Sequence, residues 1–293
     1  MAKRDCRTFP PPFSGAGKGY LFLDCGAGRK LERLAGVTVS RPAPGAMGAP
    51  GLPRAAWRSA DLDFARGIGW RGTAPFGWRL QSGPVVLGLK PAGEGHLGFF
   101  PEQLEIARRL AAGPPVPAGG RILNLFAHTG LITLRLASLP GGAEILHVDA
   151  APGMVGRARE NARLSRLERA PIRWLVDDAL IFLAREARRR PGYDLLVADP
   201  PAYGKCKKGG DWKLERDLPE LVGLAGRLLL PRGGRLCLTC HRPGWDGNRL
   251  ASLAAAAGTG KIETFPLTLE TPDKTRSLTA GTALFAVFSP GGR

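Results

Sequence analysis

Acidic residues follow three apolar segments in the second half of the chain. Asp149 ends the segment EILHVD, Asp177 and Asp178 follow IRWLV, and Asp199 stands before two prolines and an aromatic residue in LLVADPPAY. A carboxylate at the end of a buried strand can accept hydrogen bonds from ribose hydroxyls or from an amino group. Each acid alone has a simpler interpretation, because Asp commonly caps the next helix or starts a turn. Their joint placement at strand ends favours a ligand site.

The loop in NLFAHTG, residues 124–130, is a second feature with chemical meaning. A nicotinamide dinucleotide site needs G-x-G-x-x-G so that pyrophosphate can approach a helix N-terminus, and this loop has one glycine. Pyrophosphate cofactors are therefore disfavoured. S-adenosylmethionine (SAM) has no phosphate, and it carries a sulfonium and a zwitterionic amino acid end. It suits a loop that offers backbone carbonyls, Thr129 and a single glycine for close approach.

Alternating strands and helices are predicted beyond about residue 100, and they must position these residues. An amphipathic helix over PEQLEIARRLAAG is followed by five strand patterns separated by helical ones, and then by two last strands near IETFPLTL and TALFAVF. This order predicts a Rossmann-like α/β fold, with a mostly parallel sheet that has helices on both faces. Before about residue 90, short apolar pieces between Gly and Pro turn signals predict a smaller β-rich subdomain.

The net charge of +17 indicates a polyanionic partner. Most of the basic residues are Arg, which forks onto phosphates and stacks on bases, so RNA is the partner that the composition favours. The alternative is a compositional bias, since Arg, Ala, Gly and Pro are all frequent in this chain. Residues 1–60 hold ten Lys and Arg against three Asp and Glu, which places that segment toward the partner.

Several classes of protein are excluded by what the sequence lacks. No apolar run approaches the ~18 residues of a membrane span, and the first residues have no hydrophobic core of a signal peptide. The five cysteines lack the spacing of a disulfide framework, and no Cys/His cluster has zinc spacing. We therefore predict a cytoplasmic protein with reduced thiols, no metal and no membrane association, present as a monomer or homodimer.

The combined motifs resemble the class I SAM-dependent methyltransferases, and among them short forms of the large-subunit ribosomal RNA cytosine-C5 methyltransferase group. The resemblance covers most of the chain and is carried by seven segments: GRKLERL, GFFPEQ, NLFAHTG, HVDAAPGMVGRARENARLS, IRWLVDDAL, YDLLVADPPAYGK and DWKLE. It implies a seven-stranded sheet whose last strand is antiparallel, and SAM as the cofactor. His128 departs from the family pattern, which has Tyr at this position.

The resemblance also assigns cofactor contacts. Phe100 and Gln103 belong to the segment that closes over SAM, Asp149 holds the ribose, and Asp178 accepts a hydrogen bond from the adenine amino group. Four residues of the glycine loop line the methionine end: Asn124, Phe126, Thr129 and Gly130.

The segment from Asp199 to Tyr203 resembles the fourth motif of the family. In that motif the carboxylate lies beside the methyl group, and the aromatic residue stacks on a flipped base. The two prolines keep the segment rigid, because their φ is fixed and they have no amide hydrogen that needs a partner. Asp199 and Tyr203 favour nitrogen as the methylated atom, since this motif accepts amino protons in amino-group methyltransferases. The simpler interpretation of Tyr203 is an exposed turn residue.

Thr239 and Cys240, at the end of the fifth strand pattern, point to a different reaction. They resemble the Thr-Cys pair in which cytosine-C5 methyltransferases hold their nucleophile. Carbon 5 of cytosine becomes nucleophilic after a thiolate adds to carbon 6, so Cys240 is a candidate nucleophile. The alternative is an inert, half-buried thiol.

We predict a SAM-dependent methyltransferase that acts on a base of RNA, with ribosomal RNA favoured. Residues 1–90 are predicted to form the β-rich subdomain, which contacts RNA, and residues 91–293 the methyltransferase domain. Two alternatives stay open: methylation of a protein or small molecule, and a basic RNA-binding protein with a vestigial SAM pocket.

Overall fold

The computed structural model describes residues 19–189, 192–204, 210–231 and 233–288. Its first part is rich in strand, as the turn signals predict. One sheet contains β1 (Tyr20–Gly26), β2 (Arg29–Leu34), β3 (Val37–Pro42), β4 (Leu62–Ala65) and β5 (Gly69–Arg71), in that order. The helix α1 (Arg54–Arg58) connects β3 to β4, which pair in parallel, and the other neighbours are antiparallel. A separate hairpin consists of β6 (Arg79–Ser82) and β7 (Val85–Gly88).

A buried carboxylate ties the first three strands together. Glu32 pairs with Arg41 at 2.7 Å and with Lys30 at 2.9 Å, and accepts a hydrogen bond from the Tyr20 hydroxyl. Burial alone would raise the pKa of Glu32, but the two cations outweigh it and lower the pKa to about 2. Arg41 also donates to the carbonyl of Gly95. The first sheet is thereby attached to the segment that leads into the larger part of the chain.

Seven strands form the large sheet, and their order confirms the predicted fold. In chain order the strands of this part are β8 (Arg121–Leu125), β9 (Glu144–Asp149), β10 (Ile172–Val176), β11 (Leu195–Ala198), the short β12 (Tyr203–Gly204) and β13 (Trp212–Lys213), β14 (Arg235–Cys240), β15 (Thr259–Glu270) and β16 (Ser277–Phe288). The large sheet has the order β10-β9-β8-β11-β14-β16-β15, while β12 and β13 form a separate hairpin. The last strand, β16, is antiparallel to both of its neighbours, as predicted.

Helices cover both faces of this sheet. They are α2 (Gln103–Ala112), α3 (Leu131–Ala137), α4 (Pro152–Leu164), α5 (Ala179–Arg189), α6 (Leu214–Leu228) and α7 (Gly247–Ala256). All four residues of strand β11 are buried between these helices. Leu196 and Ala198 pack in one hydrophobic cluster, and Leu195 and Val197 pack in another on the opposite face. A strand with two covered faces has no polar face, which explains the uninterrupted apolar run in its sequence.

The strand order places a crevice between β8 and β11. From β8 the chain proceeds to β9 and β10 on one side, and then returns to β11 on the other side. The loops that follow β8 and β11 therefore lead away from each other and leave a crevice between the two strands. In open α/β sheets, ligands bind at the point where the strand order reverses in this way. Within the described ranges, the helices are too short or too polar to cross a membrane.

Candidate active site

A pocket opens at the crevice between the carboxyl ends of β8 and β11. The segment from Gly98 to Gln103 covers it, and the loop from Phe126 to Gly130 forms its floor. Seven of the residues predicted for the site line this pocket: Phe100, Gln103, Asn124, Phe126, Thr129, Gly130 and Asp199. The other four, Asp149, Asp178, Tyr203 and Cys240, lie outside its lining.

The loop between β8 and α3 has an unusual backbone. Phe126, His128 and Gly130 all have positive φ, at 52°, 48° and 89°. Only glycine adopts this conformation without cost, so strained residues of this kind are concentrated at ligand-binding sites. Asp149 stabilises the loop, because its Oδ2 accepts from the backbone N–H of His128 at 2.8 Å. The acid that ends β9 thus shapes the pocket from just outside it.

Two of the predicted cofactor residues hold the pocket together through their side chains. The Thr129 hydroxyl donates to the carbonyl of Gly98 at 2.6 Å, which fastens the covering segment to the loop. Asn161 donates to the carbonyl of Thr129. Asn124 donates from Nδ2 to the Thr133 hydroxyl at 2.9 Å. Both predicted side chains therefore make structural hydrogen bonds, and their predicted contacts with the cofactor remain predictions.

Two buried polar atoms of the pocket lack a hydrogen-bond partner within the described part of the chain: Gln103 Nε2 and His128 Nδ1. Burial and the positive charge of Arg157 lower the pKa of His128 to about 4, so its ring is neutral at neutral pH. A neutral imidazole offers one donor and one acceptor. Because native proteins leave few buried polar atoms unpaired, these two atoms are available to hydrogen-bond a polar ligand.

The acids that end β9 and follow β10 are engaged by nearby backbone. Asp149 accepts at its second oxygen from the N–H of Ala151 at 2.9 Å, and burial raises its pKa above the usual value. Asp178 accepts at Oδ1 from the N–H of Ile181, in the first turn of α5. Each carboxylate oxygen has two lone pairs, so the two bonds of Asp149 leave acceptor capacity for a ligand. The contacts predicted for Asp149 with ribose and for Asp178 with adenine remain predictions.

Asp199, at the end of β11, has a charged partner. Its Oδ1 accepts from His241 Nε2 at 2.8 Å and from the Thr239 hydroxyl. His241 Nδ1 lies 2.8 Å from the carbonyl of Ala280, which can only accept. Both ring nitrogens of His241 are therefore donors, so the ring is an imidazolium. Burial alone would lower the pKa of His241, but the Asp199 carboxylate outweighs it and raises the pKa to about 10.

The same pairing keeps Asp199 ionised. Burial alone would raise the pKa of this carboxyl, but His241 and Thr239 outweigh it and lower the pKa. Because both partners bind Oδ1, Oδ2 has no hydrogen-bond partner among residues 19–189, 192–204, 210–231 and 233–288. The pocket lining therefore contains an ionised carboxylate with an oxygen that is available to accept a hydrogen bond.

Tyr203 lies on the β12–β13 hairpin, just beyond the pocket. Its side chain is 51% exposed, and its hydroxyl donates to Asp211. Trp212 of the facing strand donates from Nε1 to the carbonyl of Pro201 at 2.7 Å, which fixes the hairpin against the diproline. Lys205, which ends the predicted motif, lies outside the described residues. The exposed Tyr203 ring is available for stacking, although it does not line the pocket.

Cys240, the predicted nucleophile, lies in the hydrophobic core. It is 1% exposed and belongs to the same cluster as Trp245 and Leu250. Cys237, three residues earlier, points into the cluster on the opposite face of the sheet. Burial raises the pKa of Cys240, and the carboxylate of Asp199 acts in the same direction. The thiol is thus protonated at neutral pH and does not line the pocket.

The sequence prediction missed His241 as a member of the site. His241 is the first residue after β14. Its position could have indicated a site residue, because a titratable side chain directly after a parallel strand lies at the ligand-binding edge of the sheet. His128 was identified only as a departure from the family pattern. Its burial beside Phe100, with the two ring centroids 5.1 Å apart, makes it part of the pocket wall.

Comparison with known proteins decides the family. The family model for S-adenosylmethionine-dependent methyltransferases matches residues 95–259, which is more than half of the chain. The chain belongs to this family. A crystal structure of the SAM-dependent methyltransferase from Agrobacterium tumefaciens has a TM-score of 0.83 and 31% sequence identity, and the likeness covers 95% of this chain and 92% of that one.

Curated relatives are similar over a shorter stretch. Ribosomal RNA large subunit methyltransferase K/L of Chromohalobacter salexigens is 31% identical over 157 residues, which is 53% of this chain and 20% of the relative. Ribosomal RNA large subunit methyltransferase I of Serratia proteamaculans is 29% identical over 150 residues, or 50% of this chain and 36% of that protein. This methyltransferase therefore matches about a fifth to a third of the length of these relatives.

SAM is the cofactor of this methyltransferase family, and the pocket offers polar atoms that suit it. A neighbour with 15% identity and a TM-score of 0.72, SMU.776, was crystallised with S-adenosylhomocysteine, and it supports the fold. In the present chain, the unpaired atoms of Gln103 and His128 match a cofactor with several polar groups. Gly130 lets the loop pack closely against α4, because a Cβ there would lie 3.1 Å from the Cβ of Ala158. No group of three or more potential metal ligands occurs in the part of the chain that the structure describes.

The His241–Asp199 pair should make the stability of this methyltransferase fall at alkaline pH. In the unfolded chain His241 loses its proton near pH 6.5, whereas in the folded protein it does so near pH 10. The stabilisation is therefore complete below about pH 6.5 and is lost as the pH rises to about 10. We would measure the free energy of unfolding in urea at pH 6, 8 and 10 for wild type and for His241→Gln. Wild type should be more stable at pH 6, and the difference between the two proteins should disappear near pH 10. A difference that does not change with pH would contradict the ion pair.

Proposed function

We propose that this methyltransferase transfers the methyl group of SAM to a base of ribosomal RNA. The observation that carries the proposal is the ionised, partly free carboxylate of Asp199 in the SAM pocket, next to a rigid diproline and the exposed Tyr203. Two further observations support RNA as the substrate. The chain has a net charge of +17, and the curated relatives are named ribosomal RNA large subunit methyltransferases.

SAM, when bound, supplies a methyl group on a sulfonium that is already activated for transfer. The residues of the chain then have to position the base and accept the proton that the methylated nitrogen releases. In this proposal Tyr203 stacks on the flipped base, and Oδ2 of Asp199 accepts a hydrogen bond from the target amino group. As the target nitrogen accepts the methyl group, the S–CH3 bond breaks and S-adenosylhomocysteine leaves. The nitrogen becomes acidic, and its proton would pass to Asp199 or to solvent. His241 and Thr239 keep Asp199 in place and ionised throughout.

Methylation of cytosine at carbon 5 is the second candidate reaction. It is favoured by the Thr239–Cys240 pair, because the Thr239 hydroxyl touches Asp199 and Cys240 is the next residue. This reaction needs a thiolate that reaches carbon 6 of the base. In the present conformation Cys240 is buried, so its sulfur is not accessible to a base. Its raised pKa keeps the thiol protonated, so it is not a thiolate. The geometry therefore supports reaction at a nitrogen better.

Mass spectrometry of ribosomal RNA nucleosides tests the proposed function. A strain that lacks this protein should lose one methylated base, and the purified protein with SAM should restore it on RNA from that strain. Unchanged ribosomal RNA, together with methylation of a protein or small molecule in extracts of the deletion strain, would assign the alternative substrate. Absence of both SAM binding and methylation would indicate a basic RNA-binding protein with a vestigial pocket.

Cys240→Ala should keep RNA methylation within a few-fold of wild type, and wild type should form no covalent adduct with RNA that contains 5-fluorocytosine. The reason is that the thiolate, not the thiol, is the nucleophile, and the thiol of Cys240 is buried and protonated. Cys237→Ala is the matched control, since its thiol is equally buried on the other face of β14. A fluorocytosine adduct that forms in wild type and in Cys237→Ala, but not in Cys240→Ala, would assign Cys240 as the nucleophile and carbon 5 as the target.

A further inference from the structure

An open cavity in the N-terminal sheet is lined by arginine side chains. Its volume is about 900 Å³, within the size range of ligand sites. Arg29 of β2, Arg54 and Arg58 of α1, and Arg71 of β5 converge on it from three separate elements. The SAM pocket shares no lining residue with this cavity.

Three of these guanidinium groups have no hydrogen-bond or ion-pair partner within the described ranges. Arg29 pairs with Asp63 at 2.5 Å and donates to Ser40, so its charge is compensated. The side chains of Arg54, Arg58 and Arg71 are exposed, and among the described residues they form no hydrogen bond or ion pair. Like charges that converge repel one another, so their arrangement favours an anionic ligand.

The acids beside the cavity do not neutralise this charge. Asp63 is engaged by Arg29, and Asp61 accepts from the backbone N–H of Thr38 at 2.7 Å. Asp61 is the one carboxylate in the lining without a cationic partner in the described chain. Three unpaired cations against one unpaired anion leave the cavity positive.

A fixed aromatic side chain forms part of the wall. Trp57 of α1 is half-buried, and its Nε1 donates to Oδ2 of Asp24 at 3.1 Å. Asp24 is fully buried and also accepts from the N–H of Leu52 at 2.7 Å and from Arg276 Nε at 3.2 Å. Burial alone would raise the pKa of Asp24, but the hydrogen bonds outweigh it and lower the pKa. An ionised carboxylate thus holds the loop, the helix and Arg276 in place before any ligand binds.

The cavity lies toward the catalytic edge of the large sheet. Arg276, which bonds the buried Asp24 behind the cavity wall, directly precedes β16. Four residues later the carbonyl of Ala280 faces His241, the partner of Asp199. Four residues of extended strand span about 13 Å. Residues 276–280 thus connect the surroundings of the cavity to the partner of Asp199, and a polymer that crosses this edge of the sheet would bring neighbouring units toward the arginines.

We propose that this cavity binds the phosphates of the RNA nucleotides that flank the target base, with Trp57 offering its ring to an unstacked neighbouring base. The inference rests on the proposed function. Guanidinium groups form bidentate bonds to phosphate, and an aromatic side chain among them is the usual arrangement for single-stranded nucleic acid. An acidic peptide would satisfy the arginines but not the aromatic ring, so RNA is favoured.

The test is a triple variant, Arg54→Ala, Arg58→Ala and Arg71→Ala, in the full chain. Binding of large-subunit ribosomal RNA transcribed in vitro is measured across a range of salt concentrations, together with methylation kinetics and SAM affinity. Each lost phosphate contact should reduce the slope of log affinity against log salt by about 0.7, so the slope should become shallower by about 2. We expect weaker RNA binding and a higher KM for RNA, while kcat and SAM affinity stay unchanged.

A matched control removes the same charge elsewhere. Arg169, Arg188 and Arg227 are exposed and have no hydrogen bond or ion pair with other described residues. Arg188 and Arg227 are in the last turns of α5 and α6, and Arg169 precedes β10, so all three lie at the amino end of the sheet. Their triple Ala variant should change the salt slope by less than the cavity variant does. Thermal unfolding of both variants checks that they are folded.

A second measurement does not depend on these substitutions. Photo-cross-linking of wild type to RNA that contains 4-thiouridine should label the peptide that includes Trp57. If wild type methylates RNA, but the cavity and control variants have the same RNA affinity and salt slope, this inference is overturned and the proposed function stands. If wild type methylates no RNA, both this inference and the proposed function are overturned. If the cavity variant loses affinity for polyglutamate but not for RNA, the cavity is a site for an acidic protein.

Discussion

Asp199→Asn should lower the rate of RNA methylation by at least about a hundredfold. General acid–base groups contribute about 10² to 10⁴ in rate, and Asp199 is the ionised carboxylate in the pocket lining. The Asn side chain has nearly the same shape, and it can still accept from Thr239 and His241 through its oxygen. Its NH2 group, however, presents donors to the target amino group. We expect the effect in kcat, measured by transfer of labelled methyl from SAM to RNA at saturating substrate.

The control for Asp199→Asn is Asp194→Asn. Asp194 immediately precedes β11, at the opposite end of the same strand, where its Oδ2 accepts from the N–H of Arg121 at 2.8 Å. An Asn can keep that bond, so methylation should be unchanged. If Asp199→Asn also methylates at a rate close to that of wild type, Asp199 is not the acceptor, and the reaction at carbon 5 through Cys240 becomes the better hypothesis.

Asp149→Ala should weaken SAM binding by tenfold or more. In the proposed assignment the carboxylate accepts from the ribose hydroxyls, and a hydrogen bond to a charged group contributes about 1.5–3 kcal/mol, where 1.4 kcal/mol is a tenfold change in affinity. The structure adds a second reason. The N–H groups of His128 and Ala151 lose their acceptor, so the strained loop loses a contact that stabilises it. Calorimetric titration with SAM gives the affinity directly.

Two variants separate these contributions to SAM affinity. Asp149→Asn removes the charge but keeps one oxygen for the loop, and we expect a smaller loss than with Ala. Glu168→Ala removes an exposed acid from the loop between α4 and β10 and should leave SAM affinity unchanged. Wild-type affinity in a folded Asp149→Ala protein would remove Asp149 from the cofactor site.

The fold was predictable because its signals are local. The period of apolar residues distinguishes strand from helix within a few residues, and the alternation of the two implies a parallel sheet. Parallel strands bring their carboxyl ends to one edge, so the loop at residues 124–130 and Asp199 could be placed together without a structure. That placement is correct: both line the pocket. The β-rich character of the first part followed in the same way from its turn residues.

What surrounds each of these residues was decided by tertiary structure. His241 and Asp199 are 42 positions apart, and they meet only because β14 lies beside β11. Cys240 was a candidate nucleophile from its motif, but pairing with β16 and packing of α7 bury its thiol. The arginine cavity joins β2, α1 and β5. A sequence motif specifies which groups are present, whereas burial, charge partners and unpaired atoms depend on contacts between distant segments, which only the folded chain brings together.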